Sequence, residues 1–182
     1  MGTSEDIIDA AMAIVREDGV ARLTLDAAAK RAGVSKGGVL YHFKSKDDLI
    51  RGMVQRLIDQ CDQLNRSYYE CEPEGPYRWA RTLVKACFDP TGPANDPVGG
   101  ALLAAITVNP VLMEPIHAMY ARWQDRLAGD SPDPTRAGLI CCAMDGLFFQ
   151  RLMGIRLGDE AAQERLKLHA LNLLTDTEGG RP

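Results

Sequence analysis

Apolar residues recur along most of this chain at helical spacing. Ile7, Ile8, Ala11, Ile14 and Val15 follow an i, i+1, i+4, i+7, i+8 pattern, one stripe on one helix. Thr3 or Ser4 caps its start, Glu5, Asp6 and Asp9 sit near the positive end of the helix dipole, and Gly19 ends it. The same signals predict a short second helix from Thr24 through Arg31, closed by Gly33, and a third from Ser35 to about Phe43. Ser45 with Asp48 three residues later reads as a capping box for a long fourth helix. That helix carries Leu49, Met53, Leu57, Cys61 and Leu64 at steps of three or four.

From Cys71 to Pro76 the chain is rich in Pro, Gly and Glu and reads as a loop. Pro76 suits the first turn of a fifth helix through about Phe88. Asp89 to Asp96 is a second loop. A sixth helix is predicted over Pro97 to Val108, weakened by Gly99 and Gly100 and interrupted by Asn109-Pro110. A seventh runs to Leu127, with Pro115 either kinking it or marking its first turn. After a loop from Gly129 to Pro134, an eighth spans Thr135 to about Leu157. Gly158 precedes a ninth ending near Asp176, and the tail Glu178 to Pro182 is expected to be loose. No alternating strand pattern or internal repeat is present. The predicted fold is all-α with about nine helices.

Length and composition narrow the class. The 182 residues are 46 % apolar and 25 % charged, enough to bury a core and unlike a disordered chain. The net charge of −4 argues against nucleic-acid binding over the whole surface. The charge is uneven, however. Ala27 to Lys46 holds Lys30, Arg31, Lys36, Lys44 and Lys46 and no acidic residue, a window of +5 that leaves the rest at −9. An anionic partner is expected there. The cysteines, Cys61, Cys71, Cys87, Cys141 and Cys142, are odd in number and lack a Cys-x-x-Cys pair. With no signal peptide, they point to a reducing cytoplasm rather than a disulfide scaffold or zinc site. The apolar stretch Ala101 to Val108 is far short of a bilayer span, so no membrane partner is expected. Met1-Gly2 opens like a myristoylation signal, but Asp6 stands where Ser or Thr is required.

Leu23 to Leu49 is the informative stretch. Its two short helices are joined by Ala32-Gly33-Val34, where Gly33 supplies a positive φ and Val34 returns an apolar side chain to the core. That is helix-turn-helix grammar, with the second helix entering a DNA major groove by its N-terminal end. Ser35-Lys36-Gly37-Gly38 opens that helix with free N–H groups, a cation and bare backbone. The two glycines each cost roughly 1 kcal/mol relative to Ala, a cost that close approach to another surface would offset. The alternative is that these are solvated charges on two surface helices.

The run Val34-Ser35-Lys36-Gly37-Gly38-Val39-Leu40-Tyr41-His42-Phe43-Lys44-Ser45-Lys46-Asp47-Asp48-Leu49 resembles the signature of the TetR family of one-component transcriptional regulators. Leu23-Thr24-Leu25-Asp26-Ala27-Ala28-Ala29 and the first helix also match, so the specific resemblance covers roughly Ile7 to Met53. Asp145-Gly146-Leu147 followed by Arg151-Leu152 is similar to a recurrent feature of the family's eighth helix. The resemblance implies a helix-turn-helix DNA-binding domain over 1–45 and an effector-binding and dimerisation domain over 46–182. It implies that Thr24 bonds a backbone phosphate and that Ser35, Lys36, Gly37, Gly38 and Val39 face base edges. Tyr41 and His42 would reach phosphates, and Lys46 would hold another, while Leu40 and Phe43 plug the core. The N-terminus before the first helix has no Lys or Arg, so no basic arm for the minor groove is expected. Few side chains remain for direct readout beside the glycines, which shifts weight to backbone approach and DNA shape.

Other constellations are weaker. Glu114-Pro115-Ile116-His117 holds one Glu-x-x-His, but a di-iron bundle needs two, and neither His42 nor His169 has a Glu three residues before it. No phosphate-binding glycine loop or Gly-x-Ser-x-Gly elbow is present, so no cofactor, metal or catalytic residue is expected. Trp79, Leu83, Phe88, Met113, Met119, Trp123, Met144 and Phe148 read either as bundle core or as the lining of a ligand cavity. Ile140, Leu147, Arg151 and Ile155 on the eighth helix, with Leu166 and Leu173 on the ninth, are candidates for a two-fold interface. The resulting expectation is a homodimeric repressor on a palindromic operator, its recognition helices roughly 34–36 Å apart, released by a small, mainly apolar effector. The alternative from another class is a helical-bundle enzyme or carrier with an incidental basic patch.

Overall fold

The computed structural model describes residues 3–155 and 158–175. Among them are nine α-helices, three short 3-10 turns and no strand. The helices are α1 (Ser4–Asp18), α2 (Leu25–Ala32), α3 (Lys36–His42), α4 (Lys46–Cys71) and α5 (Arg78–Cys87). They continue with α6 (Pro97–Val108), α7 (Glu114–Asp130), α8 (Pro134–Leu152) and α9 (Glu160–Leu173). The all-α architecture expected from periodicity is the one observed. Leu157, Asp176 and the tail from Glu178 to Pro182 lie outside the described residues.

Local signals start and stop most helices. Thr3 and Asp6 form a reciprocal capping box on α1, Thr24 accepts from Ala27 N–H on α2, and Ser35 accepts from Gly38 N–H on α3. Gly33 ends α2 in the left-handed region at φ 68°, a conformation that a side chain disfavours. The eighth helix stops before Leu157. Gly154 takes φ 72° and returns its N–H to Arg151, while Ile155 N–H bonds the Gln150 carbonyl.

The start of the fifth helix differs from expectation. Pro76 precedes it, and Tyr77 stands at its N-cap in the left-handed region, at φ 59°. No local residue caps this end. Instead Asp130, at the end of α7, accepts from Tyr77 N–H through its carbonyl at 3.0 Å and from Trp79 N–H through its carboxylate at 2.5 Å. The Tyr77 ring is buried, so tertiary contacts hold a backbone conformation that a tyrosine alone would not choose.

The chain divides into two compact units. The first comprises Met1–Asp59 and Asp96–Met119, the second Gln60–Asn95 and Tyr120–Pro182. Helix α4 contributes to both. The first unit is built on Ile7, Ala11, Leu23, Ala28, Val39, Leu49 and Met53, all at most 5 % exposed, with Val98, Leu102 and Ile106 of α6 buried alongside. Three burials at i, i+4 and i+8 hold α6 helical despite Gly99 and Gly100. Asp96 caps α6 at Val98 N–H and accepts from Arg16 at 2.7 Å. A side chain at position 52 would meet the Phe43 ring at 3.0 Å and Ile8 at 3.3 Å, so Gly52 permits the close passage of α4. The core of the second unit is Tyr77, Ala80 and Val84 of the α5 region with Ala137, Ile140, Met144 and Leu147 of α8, joined by Ala170 and Leu174.

Candidate nucleic-acid interface and ligand site

Helices α2 and α3, joined through Gly33 and Val34, form the helix-turn-helix of the first unit. The first turn of α3 is open. Ser35, Lys36 and Gly37 are exposed and Gly38 is half-buried. A Cβ at Gly37 would meet only the Ser35 hydroxyl, at 3.8 Å, and one at Gly38 only that hydroxyl at 3.5 Å and Val34 Cβ at 3.7 Å. Tyr41 is 73 % exposed and stacks edge-on with the exposed His42 at a centroid distance of 5.0 Å. Thr24 is exposed at the start of α2, where its oxygen already accepts one bond.

Two side chains sit differently from expectation. Val39 is fully buried and has no surface to offer a base edge. It follows Gly38 by one helical step, about 100°, which turns it inward with Phe43. Leu40 is only half-buried. Lys46 is half-buried and donates from Nζ to the Val20 carbonyl at 3.1 Å, leaving two of its three protons for a phosphate.

The basic window is also less bare than its sequence. Arg31 forms a two-pronged pair with Glu17 at 2.5 Å, and Lys36 pairs with Asp26 at 3.1 Å. Lys44 donates to the carbonyls of Leu40 and Tyr41 and closes the end of α3. Folding thus brings Glu17 to the window and sets Asp26, its neighbour in sequence, against Lys36. The Lys36–Asp26 pair is about two-thirds exposed on both sides, so exchanging Asp26 for a phosphate costs little.

In the second unit the aromatic residues stack in sequence. Tyr69 meets Trp79 at 6.0 Å, Trp79 meets Trp123 at 6.2 Å, and Trp123 meets Tyr120 at 5.8 Å. The Arg126 guanidinium lies 3.7 Å from the Trp79 ring centre and 4.7 Å from that of Tyr69. Trp79 is therefore enclosed by this chain itself, being 2 % exposed. Trp123 is half-buried and donates from Nε1 to Asp62 at 3.0 Å, while Arg122 pairs with the other oxygen of Asp62 at 3.0 Å.

Of the other candidate lining residues, Leu83, Phe88 and Phe148 are half-buried and Met144 is buried in the core. Phe88 is covered by the Arg151 guanidinium, 5.4 Å from its ring centre. Met113 and Met119 belong to the first unit and are not among this group.

Burial divides the candidate interface residues. Ile140 and Leu147 are buried against α5, and Leu166 packs on the same core. Arg151 donates to the Cys87 carbonyl. Among these candidates Ile155 and Leu173 are the most exposed, at 50 % and 41 %, while Arg151 and Leu166 are half-buried. The outward face of α8 is a neighbouring stripe: Leu139 at 73 %, then Cys142, Ala143 and Gly146, then Phe149 at 41 % and Met153 at 62 %. The apolar side chains of α9 on offer are Leu168 and Leu173. Because α8 is apolar on both sides, periodicity alone does not say which stripe faces the core.

One residue that the sequence offered only as part of a motif is Asp145. Asp145 is the single charged residue between Arg136 and Arg151, and it is half-buried on α8. Burial raises its pKa above the ordinary carboxylate value, and a hydrogen bond from the Tyr120 hydroxyl partly opposes the shift. Burial and Asp145 together push the Tyr120 hydroxyl up. Cys61 and Cys141, also half-buried, are raised to about 12, chiefly by burial, with Asp62 and Asp145 adding to the respective shifts.

Comparison with known proteins places this geometry. Residues 7–53 match the family described as bacterial regulatory proteins, tetR family, and residues 77–175 match the tetracyclin repressor-like C-terminal domain. The transcriptional regulator TtgR of Pseudomonas putida is 32 % identical over 87 residues, 48 % of this chain and 41 % of TtgR. The chain thus spans less than half the length of the curated relatives it matches. Among solved structures, a Rhodococcus transcriptional regulator superposes with a TM-score of 0.75 at 20 % identity, covering 99 % of this chain and all of the other. The multidrug-binding protein EbrR in complex with ethidium gives 0.66 at 24 %, covering 93 % and 96 %. A Saccharomonospora viridis regulator in complex with choline gives 0.70 at 19 %, covering 96 % of each.

Proposed function

The chain belongs to the TetR family of bacterial transcriptional regulators, and on that premise we propose that it is a homodimeric repressor released from a palindromic operator by a small, mainly apolar effector. The observation that carries the DNA-binding part is the open first turn of α3, Ser35 to Gly38, followed by the exposed Tyr41 and His42. In this reading residues 1–45 form the DNA-binding domain and 46–182 the effector-binding and dimerisation domain. Thr24, Ser35, Lys36, Gly37, Gly38, Tyr41, His42 and Lys46 contact the duplex. The family is one of DNA-binding regulators rather than enzymes, which sets aside a helical-bundle catalyst. No helix among the described residues is long and apolar enough to cross a membrane.

The aromatic stack of the second unit and the small-molecule complexes of similar folds support an effector site. Helix α4 is the proposed transmitter, because it begins at Lys46 and contributes residues to both compact units. A ligand that favours the non-binding arrangement by ~1–3 kcal/mol would shift operator affinity about 5–150-fold.

Selection of bound fragments from the source genome is the direct test, and it is expected to return a palindrome. On that site, Lys46→Ala is expected to weaken all sequences about equally and to reduce the log–log salt slope by about 0.9. Because Lys46 also holds the Val20 carbonyl, a urea midpoint measured in parallel separates lost stability from a lost phosphate contact. Unchanged affinity and slope would remove Lys46 from the interface. Fragments with no shared palindrome would overturn the operator reading itself.

A further inference from the structure

A contact to a phosphate is strongest when the side chain that makes it is already in place, because ordering it on binding costs affinity. Lys46 opens α4, and two bonds hold that opening to other parts of the first unit. Its own Nζ donates to the Val20 carbonyl at 3.1 Å. The next residue, Asp47, accepts from Asn109 Nδ2 at 2.8 Å. Asn109 lies 62 positions further along the chain, well outside residues 7–53, the stretch that matches the family's DNA-binding part.

The end of α6 places Asn109 there. It stands between α6 and the 3-10 turn Pro110–Met113, and its Oδ1 accepts from Val111 N–H at 3.3 Å. The amide thus uses its oxygen for the local turn and its nitrogen for α4. Helix α6 packs against α1 and against the 3-10 turn Val20–Arg22, and Asp96 before its first turn accepts from Arg16 of α1 at 2.7 Å. The bonds at the start of α4 therefore close a ring: Lys46 to Val20, that turn to α6, and Asn109 back to Asp47. Asp47 is exposed and adjoins Lys46 in the chain, so a carboxylate loose at this point would repel a phosphate. The bond from Asn109 fixes it on the α6 side.

Resting on the reading of Lys46 as a phosphate contact, we propose that Asn109 is a positioning residue for DNA binding. Through Asp47 it holds the first turn of α4 so that Lys46 meets the duplex without first being ordered. It acts through Lys46 and touches no DNA itself.

The test is a double-mutant cycle read by fluorescence anisotropy on a labelled duplex of mixed sequence, which suffices because a phosphate contact is independent of sequence. Asn109→Ser keeps an oxygen to cap Val111 and is too short to reach Asp47. It is expected to weaken binding about threefold to tenfold and to lower the log–log salt slope by up to about 0.9. In the Lys46→Ala background the same substitution is expected to change neither. The exchange Asp47→Asn with Asn109→Asp re-forms the bond with donor and acceptor reversed, and is expected to return affinity and slope to wild-type values. Asn109→Asp alone sets two carboxylates together and is expected to lower the slope as the serine variant does, a second reading should that variant fail to fold. Unchanged binding in the single variants would overturn the proposal. An equal loss with and without Lys46 would assign Asn109 a structural role, again against it, as would an exchange that restores nothing. If Lys46→Ala itself leaves affinity and slope unchanged, the phosphate reading of Lys46 falls and the inference with it. A wild-type chain that binds no duplex would overturn the DNA-binding reading as a whole.

Discussion

Leu139→Arg, or Phe149→Glu, is expected to turn the protein into a monomer and to weaken operator binding by about 10²–10⁴-fold. Both residues lie on the outward stripe of α8, away from the Ile140, Met144 and Leu147 side that packs on α5. Between them the stripe is small, with Cys142, Ala143 and Gly146. A Cβ at Gly146 would meet nothing within 4 Å. Bulky apolar ends around a flat middle suit a second helix laid alongside, and the symmetric solution is another copy of α8 with α9 beside it. On a palindrome the second head of a dimer binds as an intramolecular event, and a monomer forfeits that advantage. Sedimentation at micromolar concentration and titration of the full operator check both effects, and affinity for an isolated half-site should not change. A dimer that survives both substitutions would place the interface on another face.

Glu72→Ala is expected to destabilise the fold by about 3–5 kcal/mol, because it strands two cations rather than removing a pair. The Glu72 side chain is 4 % exposed, accepting from Arg81 Nε at 2.7 Å and Lys85 Nζ at 2.5 Å. Arg81 also donates to the Pro73 carbonyl at 2.8 Å and to that of Pro76, so this carboxylate anchors the turn that leads into α5. Burial raises the Glu72 pKa, but the hydrogen bonds from Lys85 and Arg81 outweigh it and hold the group below its ordinary value of 4.5. A lowered folded-state pKa means that its contribution is complete above the ordinary value and is lost as pH falls through the lowered one. Urea unfolding at neutral pH measures the deficit, and the variant should show a shallower loss of stability in acid. A deficit under about 1 kcal/mol would mean that water reaches the stranded cations.

How far the sequence was legible follows from the range of each interaction. Thr3, Thr24 and Ser35 cap helices through bonds three residues away, so a short window contains both donor and acceptor. The αL stop at Gly33 is equally local. Tyr77 could not be read this way, because its partner, Asp130, lies 53 positions along the chain. The basic window lost much of its apparent charge to Glu17, which folding brings near, and to Asp26, which stands immediately before it in the sequence. Ile140 and Leu147 share a helix with Leu139 and Phe149, and hydrophobicity marks all four alike. Which pair faces α5 is a property of the tertiary packing. Asp145 was visible as a lone charge in an apolar run, a signal that gained meaning once Tyr120 was found against it.

Gly37 and Gly38 have a further consequence for how the recognition helix can change. Alanine at either position fits, since the nearest atoms sit at ordinary contact distance, and it should raise stability by up to about 1 kcal/mol. Among the described residues nothing therefore calls for glycine at these two places. On the proposed DNA-binding reading, the requirement lies on the duplex that the helix meets. Gly37→Ala and Gly38→Ala should accordingly raise the melting temperature while lowering operator affinity, an opposition that a purely structural pair of glycines would not produce. The same open turn makes these positions natural entry points for retargeting, because a new side chain can be presented to a different base sequence without repacking the core behind it.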